Sequence, residues 1–207
     1  MQTQIRQIAT AFERLALFWR ASQWLAAKNL GLNPSQSDVL QRISRQPERA
    51  TDLAARLGVT QASLSDTVSA LVAKGLAERQ PDPADGRARR IEATGEGRTL
   101  AACLPEAPEP LEAAITGLGE ADRGGLLRSL SLIIRSLQEA EAIPVQQMCL
   151  TCRHFRPHVH ADPAQPHHCG FVDAAFGDGG LRLDCADHET ATEEEAARNR
   201  ARLAAVW

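Results

Sequence analysis

No stretch of about 18 or more apolar residues occurs in the chain, so no segment is expected to span a membrane. The first residues, MQTQIRQIATAFERL, carry a charge every few positions and lack an apolar run ahead of a small-residue cleavage site. A secretory signal is therefore not expected, and a cytoplasmic location follows by default. An excess of positive charge is also missing. The formal net charge of −3 excludes a uniformly basic nucleic-acid coat, although it leaves room for a local basic element. Neither H-E-x-x-H nor H-x-E followed by C-x-x-C is present, so the patterns of a zinc hydrolase are absent and the chain is not expected to be an enzyme. Histidine is missing from the first 153 residues.

What is present fits a folded protein: 207 residues, 43% hydrophobic and 24% charged, enough for one domain with an appendage or two small domains. Residues 1–147 balance 17 basic against 17 acidic side chains, and residues 148–207 hold 6 and 9. All six histidines fall between His154 and His188, and four of the five cysteines between Cys149 and Cys185. In a reducing compartment such crowding reads as a metal site before a disulfide framework. The chain thus divides near Pro144.

In the first part, Ile5, Ile8, Phe12, Leu15, Leu17, Phe18, Trp19, Trp24 and Leu25 recur mostly at three- and four-residue steps, an amphipathic helix over Gln4–Lys28. A second helix, capped by Ser35 or Ser37, runs to about Arg45. Then Thr51 caps a short helix over Asp52–Leu57, Gly58 stops it, and Thr60 caps a further helix that ends before Gly75. Leu53 and Leu57 share one face, as do Leu64, Val68, Leu71 and Val72. Two short helices with buried inner faces and a tight glycine turn meet the requirements of a helix-turn-helix, although an ordinary helical hairpin would share the pattern.

The next residues decide between them. Leu76–Arg79 reads as a strand, residues 81–86 (PDPADG) as a turn, and Arg87–Ala93 as the returning strand. A hairpin tipped by Arg87, Arg89 and Arg90 directly after the second helix is the wing of a winged helix-turn-helix, placed to meet phosphates or a narrow minor groove. On the preceding helix, Gln61, Ser63, Ser65, Asp66 and Ser69 take the outward positions as candidate DNA contacts. No arginine precedes Lys74 there, so base reading relies on Gln61 and the serines, and affinity on backbone and wing contacts. Beyond Thr94 come a capped helix to Cys103 and a long helix over Glu120–Ala142, with Leu126, Leu127, Leu130, Ile133, Ile134 and Leu137 in one stripe. The helices outside the reading core carry more apolar surface than a small winged helix covers, so a homodimer is expected.

These residues, from TDLAARLGVTQASLSDTVSALVAKGLAER through the wing DPADGRARRIEATGEGR, resemble the MarR family of bacterial transcriptional regulators over roughly residues 5–142. The resemblance implies a mainly α fold with a small β-hairpin wing and flanking dimerisation helices, taken here as residues 1–143. It also implies a symmetric dimer on a double-stranded DNA operator, acting mostly as a repressor, and release of DNA by a small-molecule effector or an oxidant. It implies nothing about the rest of the chain.

That remainder is a Cys/His-rich module over residues 148–190, followed by a C-terminal helix over residues 191–207. Cys149 and Cys152 form a C-x-x-C knuckle, Cys169 follows after sixteen residues and Cys185 after fifteen more. Four thiolates make the simplest closed metal site, with His168 or His188 as possible substitutes. Prolines and glycines predict irregular loops too poor in apolar residues to hold without a staple, and a structural zinc contributes on the order of 10–16 kcal/mol to such a segment. The alternative is an iron–sulfur cluster, because one C-x-x-C pair followed by two separated single cysteines resembles cluster-binding loops more than two zinc knuckles. Surplus histidines favour zinc. His158, His160 and His167 read as surface residues, and Cys103 as a packing residue. A metal-binding redox protein that uses the helical body only as a dimer scaffold is the alternative function, but it leaves the helix pair and the wing without a purpose.

Overall fold

The computed structural model describes residues 1–83 and 85–205, without the side chain of Arg87. The chain forms two compact units, Met1–Ala113 and Ala114–Trp207.

The first unit opens with α1 (Gln2–Asn29) and α2 (Pro34–Arg45). α2 starts at Pro34 and is capped by Asn33 rather than Ser35 or Ser37: the Asn33 side chain accepts from the Gln36 N–H at 2.9 Å, and the Gln36 side chain accepts back from Asn33 N–H at 3.3 Å. Proline fits the first helical position because no partner is needed for the hydrogen it lacks. A two-residue strand, β1 (Glu48–Arg49), precedes α3 (Ala50–Leu57), which begins before Thr51, so Thr51 is not its cap. Gly58 then adopts the left-handed conformation at φ 65° that ends the helix. α4 (Gln61–Ala73) is capped by Thr60, whose hydroxyl accepts from Ser63 N–H. The hairpin follows as β2 (Ala77–Asp82) and β3 (Asp85–Ala93), with Ala84 of the expected turn outside the described residues. β1 pairs with the other edge of β3, a third strand too short for period-two patterning to show. α5 (Gly95–Ala101) is capped by Thr94, and α6 spans Glu109–Thr116.

One core joins these elements: Val39, Leu40 and Ile43 of α2 pack with Leu53, Leu64, Val68 and Leu71, and with Ile91 and Ala93 of the sheet. α5 presses onto the start of the hairpin so closely that Gly97 leaves no room for a methyl group; a Cβ there would run into the Leu76 carbonyl oxygen. Cys103 does not pack in this core. α5 ends at Ala101, and the exposed thiol beyond it donates to Thr99 O.

The division between the two units falls within α6, and α7 (Glu120–Glu139) lies wholly in the second. The reason is packing: Leu127, Leu132 and Ile134 lie against a core of Met148, Leu150, Phe155, Leu181 and Leu203. Gly124 sits against Asp178 and Gly179, and Arg128 pairs with Asp178 at 3.5 Å. The buried positions of α7 are Gly124, Arg128, Ser131 and Gln138, whereas Leu126, Ile133 and Leu137 stay exposed. Its apolar stripe is therefore split, with one flank on its own module and another facing out. The Cys/His segment is also more regular than expected. β4 (Phe155–Arg156), β5 (His167–Cys169) and β6 (Ala174–Phe176) form an antiparallel sheet in the order β4-β5-β6. α8 (Glu193–Ala204) closes the unit with a capping box between Thr192 and Glu195. Val206 and Trp207, the end of the expected C-terminal helix, lie outside the described residues.

Candidate nucleic-acid interface and four-cysteine cavity

In the first unit, α4 buries Leu64, Val68 and Leu71 and exposes Gln61, Ser63, Ser65, Asp66 and Ser69. The 3.6-residue period alone sorts these two sets. Leu53 of α3 packs in the same core as the buried face of α4, so the polar face of α4 stays open to solvent. At the hairpin, Arg89 is exposed on β3 opposite Pro81. Arg90 behaves differently. The Asp82 carboxylate is 5% exposed and takes Arg49 on one side and Arg90, at 3.8 Å, on the other. Asp82 also holds the Arg49 guanidinium above its ordinary pKa, chiefly through their hydrogen bond. Arg90 thus joins a clamp that ties β1, β2 and β3 together toward the turn end of the hairpin. The Arg87 side chain lies outside the described residues.

Sequence reading passed over Arg79, on β2. Its guanidinium donates to Ser69 Oγ at 3.1 Å, which sets a cation against the outward face of α4 that lacks one of its own. Strand alternation next to an amphipathic helix is the pattern that could have found it. A small cavity of about 80 Å³ also lies in this unit, lined in part by Trp19, Gln23, Asp38, Gln41 and Pro105. Burial raises the Asp38 carboxyl above its ordinary pKa, against the opposing pull of Arg42.

In the second unit the four cysteines come together. Cys149, Cys152, Cys169 and Cys185 line one cavity of about 250 Å³, with Phe155, Phe171, Val172 and Phe176 as apolar wall. A 3₁₀ turn, Cys149–Thr151, starts on Cys149 and is followed directly by Cys152, β5 ends on Cys169, and a loop brings Cys185. All four are free thiols. Burial pushes the Cys149 thiol up to about 11, although the Arg182 N–H donates to its sulfur at 3.3 Å and works the other way. A cation bound there must expel that proton. Among the described residues, no three His, Cys, Asp or Glu side chains form a group that could hold a single ion.

The histidines are distributed otherwise than expected. His168 turns toward His160 and Asp173, and His188 contacts Thr151 Oγ1 at 3.0 Å, so neither of these candidate substitutes lines the cavity. His154 does line it, paired with Glu189 at 3.0 Å. His167 is not a surface residue. It is 0% exposed, meets Asp178 at 2.8 Å and packs edge-on against Phe155 and Phe176. The alternation of β5 turns His167 inward and His168 outward, a distinction that composition alone does not carry.

Comparison with known proteins agrees with the first unit. Residues 30–88 match the MarR family model. No curated protein is similar enough to the chain to match. Among solved structures, the MarR family regulator SP03579 is similar in fold at 19% identity, with 68% of this chain and 95% of that one covered and a TM-score of 0.58. The regulator BldR from Sulfolobus solfataricus is 26% identical, over 64% of this chain and 97% of that one, with a TM-score of 0.50. CouR from Rhodococcus jostii RHA1, crystallised with p-coumaroyl-CoA, is 26% identical over 61% of this chain and 90% of that one, with a TM-score of 0.51. By its fold and by its match over residues 30–88, the chain is thus similar to the MarR family of winged-helix transcriptional regulators.

Proposed function

We propose that the chain is a homodimeric DNA-binding transcriptional regulator, acting as a repressor, with a C-terminal module that binds metal through Cys149, Cys152, Cys169 and Cys185. The observation that carries the reading is the outward face of α4: Gln61, Ser63, Ser65, Asp66 and Ser69 stand exposed next to Arg79, and the exposed Arg89 sits on the wing. Such a helix offers hydrogen-bond donors and acceptors to base edges, while the arginines meet phosphates. The dimer is supported by α1, whose Ile5, Ile8, Leu15, Trp24 and Leu25 are about half exposed or more, and by the outward Leu126, Ile133 and Leu137 of α7. A twofold pair of reading helices contacts half-sites one duplex turn apart, roughly 34–36 Å. A dimer of that span blocks access to the promoter it covers. CouR's p-coumaroyl-CoA supports a small-molecule effector for this chain.

Titration of a duplex library with the full chain at several salt concentrations tests the reading. Tight, salt-dependent binding to a pseudo-palindromic site is expected, together with a mass of two chains per duplex. Absence of duplex binding at low salt would return the helical body to the role of a scaffold.

A further inference from the structure

We infer that the cavity lined by Cys149, Cys152, Cys169 and Cys185 houses an iron–sulfur cluster rather than a single zinc ion. The inference rests on the reading of these four cysteines as metal ligands and selects the metal. Zinc draws four sulfurs to about 2.3 Å from one point, so the ligands close over the ion and leave no room between them. Here the cysteines stand around a space of about 250 Å³, and no three candidate ligands among the described residues converge on a point. A cluster inserts several iron and sulfide atoms between its ligands, so its cysteines must stand apart around a room of this kind, and four thiolates are its ordinary ligand set.

The surroundings suit that occupant. Phe155, Phe171, Val172 and Phe176 offer no hydrogen bonds to water, so the space favours an inorganic core capped by thiolates over a solvated ion. A cluster with four thiolate ligands carries net negative charge. The Arg182 N–H, 3.3 Å from Cys149 Sγ, and the Arg182 residue on the cavity wall oppose that charge. The four sulfurs come from three separate pieces of chain, and the wall they share is structural. Phe155 pairs with Cys169 across β4 and β5, and Phe155 O accepts from the Asn199 side chain of α8 at 2.9 Å. Filling the cavity therefore fixes the sheet and α8 together.

The test is isolation of the full chain without oxygen, followed by iron, zinc and acid-labile sulfide analysis and an absorption spectrum. More than one iron per chain, matched by equal sulfide, with broad visible absorption that dithionite bleaches, is the expected result. A colourless protein with one zinc per chain, which takes up no iron and sulfide on reconstitution, overturns the cluster while leaving the four cysteines as metal ligands. Failure to bind either metal overturns both readings. Cys169→Ser should lose most of the iron and the visible bands, whereas Cys103→Ser should keep them. Full iron in the first variant, or its loss in the second, overturns the ligand assignment.

Discussion

Asp82 is a buried carboxylate with two guanidinium partners, Arg49 and Arg90, beside the turn of the hairpin. Removing it leaves both cations without their acceptor and unties three strands. Asp82→Ala should cost about 1.5–3 kcal/mol, the scale of hydrogen bonds to charged groups, read from chemical denaturation. It should also weaken DNA binding through a loosened wing. Arg89 has the opposite character: it is exposed on β3. Arg89→Ala should leave stability unchanged, weaken binding to all duplexes alike, and lower the salt slope by about one unit for the lost phosphate contact. A slope equal to the parent's would show that Arg89 does not touch phosphate. The two arginines are adjacent in sequence, yet only the tertiary clamp separates their roles.

At the scale of elements, the reading helix depends on its ends and on what holds the hairpin against the core. Thr60 is the one side-chain cap of α4, so Thr60→Ala should cost about 0.5–2 kcal/mol and fray the turn that carries Gln61 and Ser63. α5 meets the start of β2 with no space at Gly97. Gly97→Ala would drive a methyl group into the Leu76 carbonyl, and neither backbone can yield without moving the wing. A loss of about 3 kcal/mol or more is expected, visible as a lowered thermal midpoint together with weaker DNA binding. A variant of parental stability would mean that α5 is free to shift away from the hairpin. The caps at Thr60 and Thr94 were legible because a threonine ahead of a helical run is a local pattern. β1 was not legible, because a two-residue strand has no period and exists only through its partner β3.

At the scale of the whole molecule, two helices carry apolar faces that their own units do not cover. On α1, Ile5, Ile8, Leu15 and Leu25 are turned outward, and on α7, Leu126, Ile133 and Leu137. Together they form far more exposed apolar surface than scattered single residues would. Ile8→Glu should convert a dimer to monomers in sedimentation equilibrium without unfolding the reading core, and should lower operator affinity, since each half-site would then bind alone. A parental mass for this variant would place the dimer contact elsewhere than α1.

The local patterns of the sequence determined the helix-turn-helix, the wing and the gathering of cysteines, because caps, glycine stops and hydrophobic period act over a few residues. They also singled out the outward residues of α4 for the same reason. Only the tertiary structure decided that one flank of α7 packs on the core of the cysteine module, that Arg90 serves a buried carboxylate, that Arg79 reaches Ser69, and that His167 is inside while His168 is not. It also brought the four cysteines to the wall of one cavity. Each of these depends on which distant segment packs opposite, and side-chain period along one element carries no information about the partner that the chain brings to it.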